Sequence, residues 1–563
     1  MEKGRIIDAL QETADLAELL GENPFKVRAF ANAARTLKSA SSRPVDWTRP
    51  GVLEEIRGVG KGIARFVREM IRTGCASELE AYRSKVPEGV REILQVQGVG
   101  PRKVAVLWRD IGVESPGELE YACLENRLVT LPGFGSKSQE RVLNGVRFLM
   151  ANRGKALLPS ILNFQENLFY ESEFPASELW AWTGEAGRML ETVSEVHLLT
   201  CHRPLAEELG RLRKLSKEGD SWRGAASPGV PFVVSLVDEV HFGSRCVWET
   251  CSAGFRSARA GRLEARGLRW TQEGLHGPSG AVPTAVETEF WRAAALDPVP
   301  AECRELPEAL DFDFSSLLKA SDLAGAFHVH TDWSDGGASL ETMVESARSL
   351  GWDYVGICDH SKTAVYAGGL DETRLKGQGK EIDVLQKAHP EIRIFKGVES
   401  DIMAEGALDY EDRVLAGLEL VVASVHSRFG LARDAQTLRL VRAVKHPATT
   451  FLGHPTGRLL LGREPYTHDW EAVASAASEA GICIELNANP HRLDVDWRRI
   501  PGLRKRGVPI ALNPDAHSPD GLRDVRYGVL MARKALCRRE DILNTLDRQS
   551  IEEWLESKKE AER

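Results

Sequence analysis

The sequence has no pair of cysteines at the CxxC spacing, and its nine Cys are scattered singly along 563 residues. This excludes a zinc ribbon and a disulfide framework. There is no run of about 20 apolar residues, and charged residues precede any apolar run in MEKGRIIDAL, so we expect neither a membrane span nor a secretory signal. A reducing cytoplasm is therefore the expected compartment.

The chain also lacks an excess of basic residues, with 73 Lys+Arg against 82 Asp+Glu and a formal charge of -9. This balance excludes a protein that is basic throughout and simply coats nucleic acid, but it allows a basic face on one domain. At roughly 150 residues per domain, the length predicts three or four domains.

Histidine is missing before His197, and most of the fourteen His lie after position 325. The two ends of the chain therefore differ in chemistry. Residues 1 to about 150 predict short helices separated by Gly turns. From about residue 324, apolar strand-like runs alternate with amphipathic helical stretches, which is typical of a β/α barrel or a doubly wound sheet.

Three segments of the N-terminal region share one pattern, in which an apolar residue is followed by a Gly-apolar-Gly turn and then by the start of a helix. They are IRGVGKGIARFVREMI, VQGVGPRKVAVLW and LPGFGSKSQERVL. Each turn can aim backbone N–H groups at an anion, and a following Lys or Arg adds positive charge. One such turn is more often a packing feature, but three copies favour contacts with DNA phosphates. The predicted DNA-binding residues are Gly58, Gly60, Lys61, Gly98, Gly100, Arg102, Lys103, Gly133, Gly135 and Lys137.

These segments resemble helix-hairpin-helix motifs. Together with ENPFKVRAFANAARTLKS, they resemble the start of the bacterial family X DNA polymerases. The resemblance implies a DNA-end-binding domain at 1–83 and a fingers-like domain at 84–152. In animal relatives, a lysine after the first hairpin can give lyase activity. Phe66 occupies that place here and Lys61 is a weak substitute, so no lyase activity is expected.

The resemblance continues through a palm and thumb at 153–306, where the family uses a Gly-Ser pair for the triphosphate and three aspartates for two Mg²⁺. The matching positions here are Gly187 and Arg188, Glu195 and His197, and Ser235. Two Mg²⁺ need several anionic ligands, so the resemblance implies a degenerate nucleotidyltransferase domain without templated polymerase activity. A second register, in which Asp238 serves as the third carboxylate, stays open.

After a connector at 307–323, seven apolar runs predict strands, and six of them end at or just before a potential metal ligand. In α/β barrels, the C-terminal strand ends build the active site, so residues distant in sequence can reach one pocket. A single His is more often structural, but that does not explain recurrence at six strand ends. The nine predicted ligands are His328, His330, Asp335, His360, Glu399, His426, His454, Asp515 and His517.

Imidazole combined with carboxylate suits Zn²⁺, Mn²⁺ or Fe²⁺, and nine ligands fit two or three ions. Clusters of this size indicate phosphoester hydrolysis. The C-terminal half of the chain is similar to the polymerase and histidinol phosphatase (PHP) superfamily. This resemblance implies a distorted (β/α)7 barrel at 324–563, with a trinuclear metal site on the nine predicted ligands. Bacterial family X polymerases carry this domain at the C-terminus, where it is a Mn²⁺-dependent 3′-5′ exonuclease.

The sequence thus predicts a multidomain protein with an α-helical helix-hairpin-helix region, an α+β palm and thumb, and an α/β barrel. The predicted catalytic residues are His328, His330, Glu399, Asp515, His517, Arg428 and Arg458. The two arginines are candidate phosphate clamps, and the alternative for them is a surface salt bridge. Asn487, His491 and Asp359 are expected to orient the ligands.

The predicted function is metal-dependent hydrolysis at the 3′ ends of gapped or nicked DNA, as in DNA repair. Three alternatives remain at this point: a small-molecule phosphomonoesterase such as one acting on histidinol phosphate, a non-catalytic DNA-end scaffold, and a templated gap-filling polymerase.

Overall fold

The computed structural model describes residues 3–39, 47, 51–56, 58–125, 127–129, 131–172, 174, 179–226 and 229–560. The chain forms two units, residues 1–153 and residues 154–563. Among the described helices, none is both long and apolar enough to cross a membrane.

The described part of the first unit contains eight helices around one hydrophobic core. The helices are α1 (Lys3–Leu20), α2 (Pro24–Ser39), α3 (Lys61–Thr73), α4 (Ser77–Arg83), α5 (Glu88–Ile93), α6 (Pro101–Ile111), α7 (Pro116–Leu124) and α8 (Ser136–Asn152). In α3 the apolar residues recur at helical spacing, so Ile63, Phe66 and Val67 are all buried. Phe66 packs edge-on against Phe30 of α2, with ring centroids 5.3 Å apart, which makes it a core residue.

The second unit opens with an α+β region. Its strands are β1 (Ala156–Leu157), β2 (Trp180–Thr183), β3 (Thr192–Val193), β4 (Val196–Thr200), β5 (Ser216–Glu218), β6 (Ser221–Ala225), β7 (Pro231–Leu236), β8 (Arg269–Thr271), β9 (Gly274–Gly277) and β10 (Gly280–Ala281). Its helices are α9 (Leu158–Glu171), α10 (Gly184–Gly187), α11 (Arg203–Leu212), α12 (Glu239–Glu249), α13 (Ala253–Glu264) and α14 (Glu287–Ala294). Five strands form a sheet in the order β2-β4-β7-β6-β5, in which β4 and β7 are parallel.

Seven parallel strands then form a barrel in chain order. They are β11 (Gly325–Val329), β12 (Tyr354–Ile357), β13 (Arg393–Asp401), β14 (Leu420–Ser424), β15 (Phe451–Leu452), β16 (Cys483–Asn487) and β17 (Ile510–Asn513). A parallel bridge between Val329 and Ala516 brings the last strand back to the first. The barrel confirms the predicted fold of this half. Its strands are nearly continuous apolar runs because both faces of a parallel sheet are buried.

The barrel helices are α15 (Leu340–Ser349), α16 (Glu372–Ala388), α17 (Asp412–Leu415), α18 (Arg433–Val444), α19 (Trp470–Ala480), α20 (Ile500–Lys505), α21 (Val525–Lys534) and α22 (Arg548–Glu560). The connector before the barrel consists of short 3-10 turns, and its Leu318 donates a backbone hydrogen bond to Cys537 at 3.0 Å. Arg533 of α21 pairs with Glu302 at 2.7 Å. The α+β region and the barrel therefore pack together as one unit.

Candidate active site

The nine predicted ligands meet at the C-terminal ends of the barrel strands. Glu399 is the centre of the cluster, and its two carboxylate oxygens lie within 3.7 Å of ring nitrogens of five histidines. These histidines are His328, His330, His360, His426 and His454. The residues lie on or just past five consecutive strands, β11 to β15, so only the barrel brings them together.

Two further carboxylates complete the cluster. Asp515 Oδ1 lies 3.3 Å from His330 Nε2 and 3.6 Å from His328 Nε2. Asp335 Oδ1 lies 3.4 Å from His517 Nε2 and 3.6 Å from His360 Nε2. Asp335 is exposed and His517 is half-buried, whereas Glu399 and Asp515 are buried. The site is therefore open to solvent on the side of Asp335 and His517.

The donor atoms fit bound cations. Three groups have ligand atoms within 4.8 Å of one another: His330, Asp335, His360 and His517; His328, His330 and Asp515; and His360, Glu399 and His426. Buried donor atoms of the cluster, including His328 Nε2, both ring nitrogens of His330 and Glu399 Oε2, make no hydrogen bond with any described residue. An unpaired buried polar atom costs about 1–3 kcal/mol, so such a concentration fits a site whose partners are metal ions.

Outer carboxylates orient the histidines. Glu485 Oε1 contacts Nδ1 of His328 at 2.7 Å, and Asp401 Oδ1 contacts Nδ1 of His426 at 2.5 Å. A carboxylate on one ring nitrogen fixes the tautomer and leaves the other nitrogen free to bind a metal. Asp359 accepts hydrogen bonds from the backbone and hydroxyl of Thr331, at 2.8 and 2.7 Å, and so holds the loop that leads to Asp335.

The charges of the cluster shift its pKa values strongly. Burial alone raises the pKa of the Glu399 carboxyl, but His426 and His360 outweigh it and hold that pKa well below its usual range. Burial, and then the neighbouring His517 and His360, lower the pKa of His330 to about 3. Burial lowers the pKa of His360, but Glu399 and Asp335 outweigh it and raise that pKa to about 10. The carboxylates therefore favour positive charge within the cluster, which bound cations would supply.

The structure corrects the prediction for Arg458. Its guanidinium is nearly buried and donates to the carbonyls of Arg492 and Leu493 and to the Asp496 carboxylate, so it is not available to clamp a phosphate. Arg428 is exposed, with a φ of 55°, and its role as a clamp stays a prediction.

Arg492 is a candidate that the sequence patterns did not reveal. Its Nε lies 3.3 Å from Asp515 Oδ2, and its side chain keeps 19% of its surface exposed. Burial and then the charge of Arg492 lower the pKa of His454, which shows that the guanidinium acts on the cluster. Arg492 follows Asn489, Pro490 and His491 in a loop, without a recognisable motif, so only the fold identifies it.

The palm positions form a closed polar network. His197 Nε2 lies 2.8 Å from Ser235 Oγ on the neighbouring strand, and its Nδ1 lies 2.8 Å from Thr183 Oγ1 and 3.1 Å from Glu249 Oε2. Asp238 lies beyond β7, as the residue before α12, whereas Ser235 lies on β7 two residues after Val233, the register partner of His197, and its side chain contacts His197.

The remaining palm positions are engaged elsewhere. Glu195 pairs with Arg223 at 2.8 Å, and Arg188 pairs with Glu305 at 2.7 Å. Within the described residues, no palm group brings three potential ligand atoms within 4.8 Å of one another. The donor set of the palm therefore does not fit two Mg²⁺.

The three predicted hairpins share one backbone geometry. Gly58, Gly98 and Gly133 have φ values of 89°, 82° and 81°, a region that only glycine enters readily. The second glycines, Gly60, Gly100 and Gly135, are extended and precede α3, α6 and α8 without any side-chain cap. The first-turn N–H groups of each helix are thus left for an anion.

Packing does not explain the second glycines, because a Cβ on Gly60, Gly100 or Gly135 would meet nothing within 4 Å. Close approach of a ligand such as a DNA backbone would account for them. Of the predicted cations, Lys61, Arg102 and Lys137 are exposed. Arg102 pairs with Glu18 at 2.9 Å, and Lys103 donates to the Gly98 carbonyl at 3.2 Å.

Replacing Gly100 by Ala should leave the melting temperature unchanged and weaken binding to gapped DNA by about fivefold, the equivalent of one hydrogen bond. The matched control is Gly98→Ala, which forces a Cβ into the left-handed region and should cost about 1 kcal/mol of stability. Fluorescence anisotropy and thermal denaturation measure the two effects. Wild-type affinity in Gly100→Ala would contradict this interface.

Comparisons with known proteins agree with this architecture. Residues 1–76 match a helix-hairpin-helix domain, residues 90–147 a SAM-like helix-hairpin-helix tandem, and residues 326–489 the PHP domain. The chain is 31% identical to the DNA polymerase/3′-5′ exonuclease PolX of Bacillus subtilis over 99% of both chains. A probable phosphatase of Caldanaerobacter subterraneus is 33% identical over 34% of this chain and 74% of its own length.

The fold and the site define an enzyme that combines helix-hairpin-helix DNA-binding elements with a metal-dependent PHP domain. The chain belongs to the PolX family, the bacterial family X DNA polymerases that carry a C-terminal PHP domain. This confirms the family that the motifs suggested.

Proposed function

We propose that this protein is a metal-dependent 3′-5′ exonuclease that trims the 3′ ends of DNA at gaps and nicks, and that it has lost templated polymerase activity. The observation that carries the proposal is the contrast between its two sites. The barrel keeps nine ligand-capable residues in one cluster, whereas His197 and Ser235 occupy the palm where carboxylates are expected.

The barrel residues fit the chemistry of a phosphodiester. Ions held by the nine ligands would activate water and offset the charge that develops on phosphorus. Arg492 is placed to bind a phosphate oxygen beside Asp515. Asp335 and His517 border the open side, through which a DNA end can enter. The hairpins would hold the DNA backbone, and the Bacillus relative is named a DNA polymerase and 3′-5′ exonuclease.

The test is hydrolysis of gapped DNA whose upstream strand carries a 5′ label, in the presence of Mn²⁺. We expect a ladder of products shortened from the 3′ end, and no ladder in EDTA. The same reactions with dNTPs and Mg²⁺ should give no primer extension. Template-dependent extension would overturn the second half of the proposal and leave the first half standing.

A small-molecule phosphomonoesterase is the second candidate, because relatives named as probable phosphatases match about a third of the chain. The hairpins argue against it, since a metabolite phosphatase does not need them. Comparing kcat/KM for gapped DNA with that for histidinol phosphate separates the candidates. Turnover of histidinol phosphate without any shortening of DNA would favour the second.

A further inference from the structure

Two large apolar side chains are exposed at the rim of the metal cluster. Val365 keeps 81% of its surface exposed and Tyr366 keeps 72%, in a short 3-10 turn between β12 and α16. The centroid of the Tyr366 ring lies 6.2 Å from that of His360, one of the metal ligands. An exposed aromatic side chain beside an active site suggests a contact with substrate.

The loop that carries Tyr366 is held in place. Leu370 donates a backbone hydrogen bond to His360 at 2.8 Å, and Thr363 donates to Asp409 and Asp401 at 2.7 and 3.0 Å. A Cβ on Gly369 would lie 1.9 Å from the Ser361 carbonyl oxygen, so the backbone there is closely packed. The exposed ring therefore sits on a preorganised support, which lowers the entropy that binding must overcome.

The same rim carries positive charge. Arg492 lies beside Asp515, and Arg463 stacks on the Phe429 ring, with 4.0 Å from its guanidinium carbon to the centroid. The loop of Arg463 adjoins the loop of Arg492, because the backbone N–H of Leu460 donates to the His491 carbonyl at 2.7 Å. An aromatic ring and a guanidinium group thus border the cluster, beside His360 and Asp515, and a second guanidinium lies in the adjoining loop.

We propose that Tyr366 is a stacking platform for the nucleobase at the 3′ end of the substrate, with Arg463 and Arg492 contacting the adjoining phosphates. The inference rests on the proposed exonuclease function and names its substrate class. A base must leave the helix to reach the ring, so the site takes single-stranded or frayed 3′ ends. Stacking is tolerant of sequence, because every base offers a π face.

The test compares two single-stranded oligonucleotides, one ending in a thymidine nucleotide and one ending in a tetrahydrofuran abasic nucleotide. Tyr366→Ala should lower kcat/KM for removal of the thymidine nucleotide by about tenfold, mainly through KM. It should leave removal of the abasic nucleotide within twofold of wild type. Tyr366→Phe keeps the ring and should retain activity on both.

Tyr170→Ala is the matched control, because Tyr170 is an exposed tyrosine, at 81%, on α9 of the α+β region. It should behave as wild type on both oligonucleotides. If Tyr366→Ala lowers kcat/KM equally for the two substrates, or for neither, the stacking role of Tyr366 is wrong and the exonuclease function still stands. Wild-type protein that shortens gapped DNA but leaves both oligonucleotides intact with Mn²⁺ would also overturn the platform alone, and wild-type protein that hydrolyses none of the three substrates would overturn the exonuclease function as well.

Discussion

Glu399→Gln should lower kcat/KM for Mn²⁺-dependent DNA hydrolysis by at least about a thousandfold, the largest effect expected of any single substitution. The carboxylate lies within 3.7 Å of nitrogens from five histidines, so it would help to hold the ions that bind this cluster. An amide has the same shape but neither the charge nor the second anionic oxygen. Metal content, measured by mass spectrometry after dialysis, should fall by at least one ion per chain.

The control is Glu341→Gln. Glu341 belongs to a surface group with Glu345 and His389 that also has the spacing of a metal site, but it is exposed and lies outside the cluster. This variant should keep wild-type turnover and metal content. Activity of Glu399→Gln within threefold of wild type, at unchanged metal content, would contradict the assignment of the barrel as the active site.

The barrel could be predicted from the sequence because its signals are local and repeated. Each strand is a short apolar run, and a ligand-capable residue at its end marks where the run stops, as in the run that ends at His360. Because parallel strands bring all their C-terminal ends to one rim, the repetition of such residues at strand ends predicts one shared site. The helical hairpins were predictable for the same reason, because the Gly-apolar-Gly turn recurs three times.

Other functional features depend on contacts between segments distant in sequence. Asp401 lies two residues after the predicted ligand Glu399 and was not itself predicted. Only the fold shows that its carboxylate orients His426. Arg458 looked like a clamp because it follows His454 closely, yet the fold turns it toward the loop of Arg492. Spacing along the chain cannot distinguish a side chain that faces substrate from one that supports a loop.

The α+β region has a structural connection with this loop. Glu191 accepts hydrogen bonds from Trp497 Nε1 at 3.2 Å and from Arg498 at 2.6 Å. Both residues directly follow Asp496, which pairs with Arg458 at 2.8 Å. A palm without its carboxylates therefore still contributes to the barrel, because it anchors the segment that presents Arg492. This contact would give a physical reason to keep the region even in a protein without polymerase activity.

Arg492→Ala should lower kcat/KM for DNA hydrolysis by about a hundredfold, since a charge-assisted hydrogen bond to a phosphate contributes about 1.5–3 kcal/mol. Arg492→Lys keeps the charge but not the planar fork and should recover only part of the loss. Arg433→Ala, which breaks an exposed pair with Asp469 on the barrel surface, is the control and should leave turnover unchanged.

Metal content separates a contact with substrate from a general disturbance of the site. The positive charge of Arg492 lies 3.3 Å from Asp515 and repels any cation bound there, so its removal should leave metal affinity unchanged or raise it. Turnover should therefore fall while metal content stays at the wild-type level. A parallel loss of metal and activity in Arg492→Ala would instead identify the arginine as a support of the cluster, with no direct contact to the DNA phosphate.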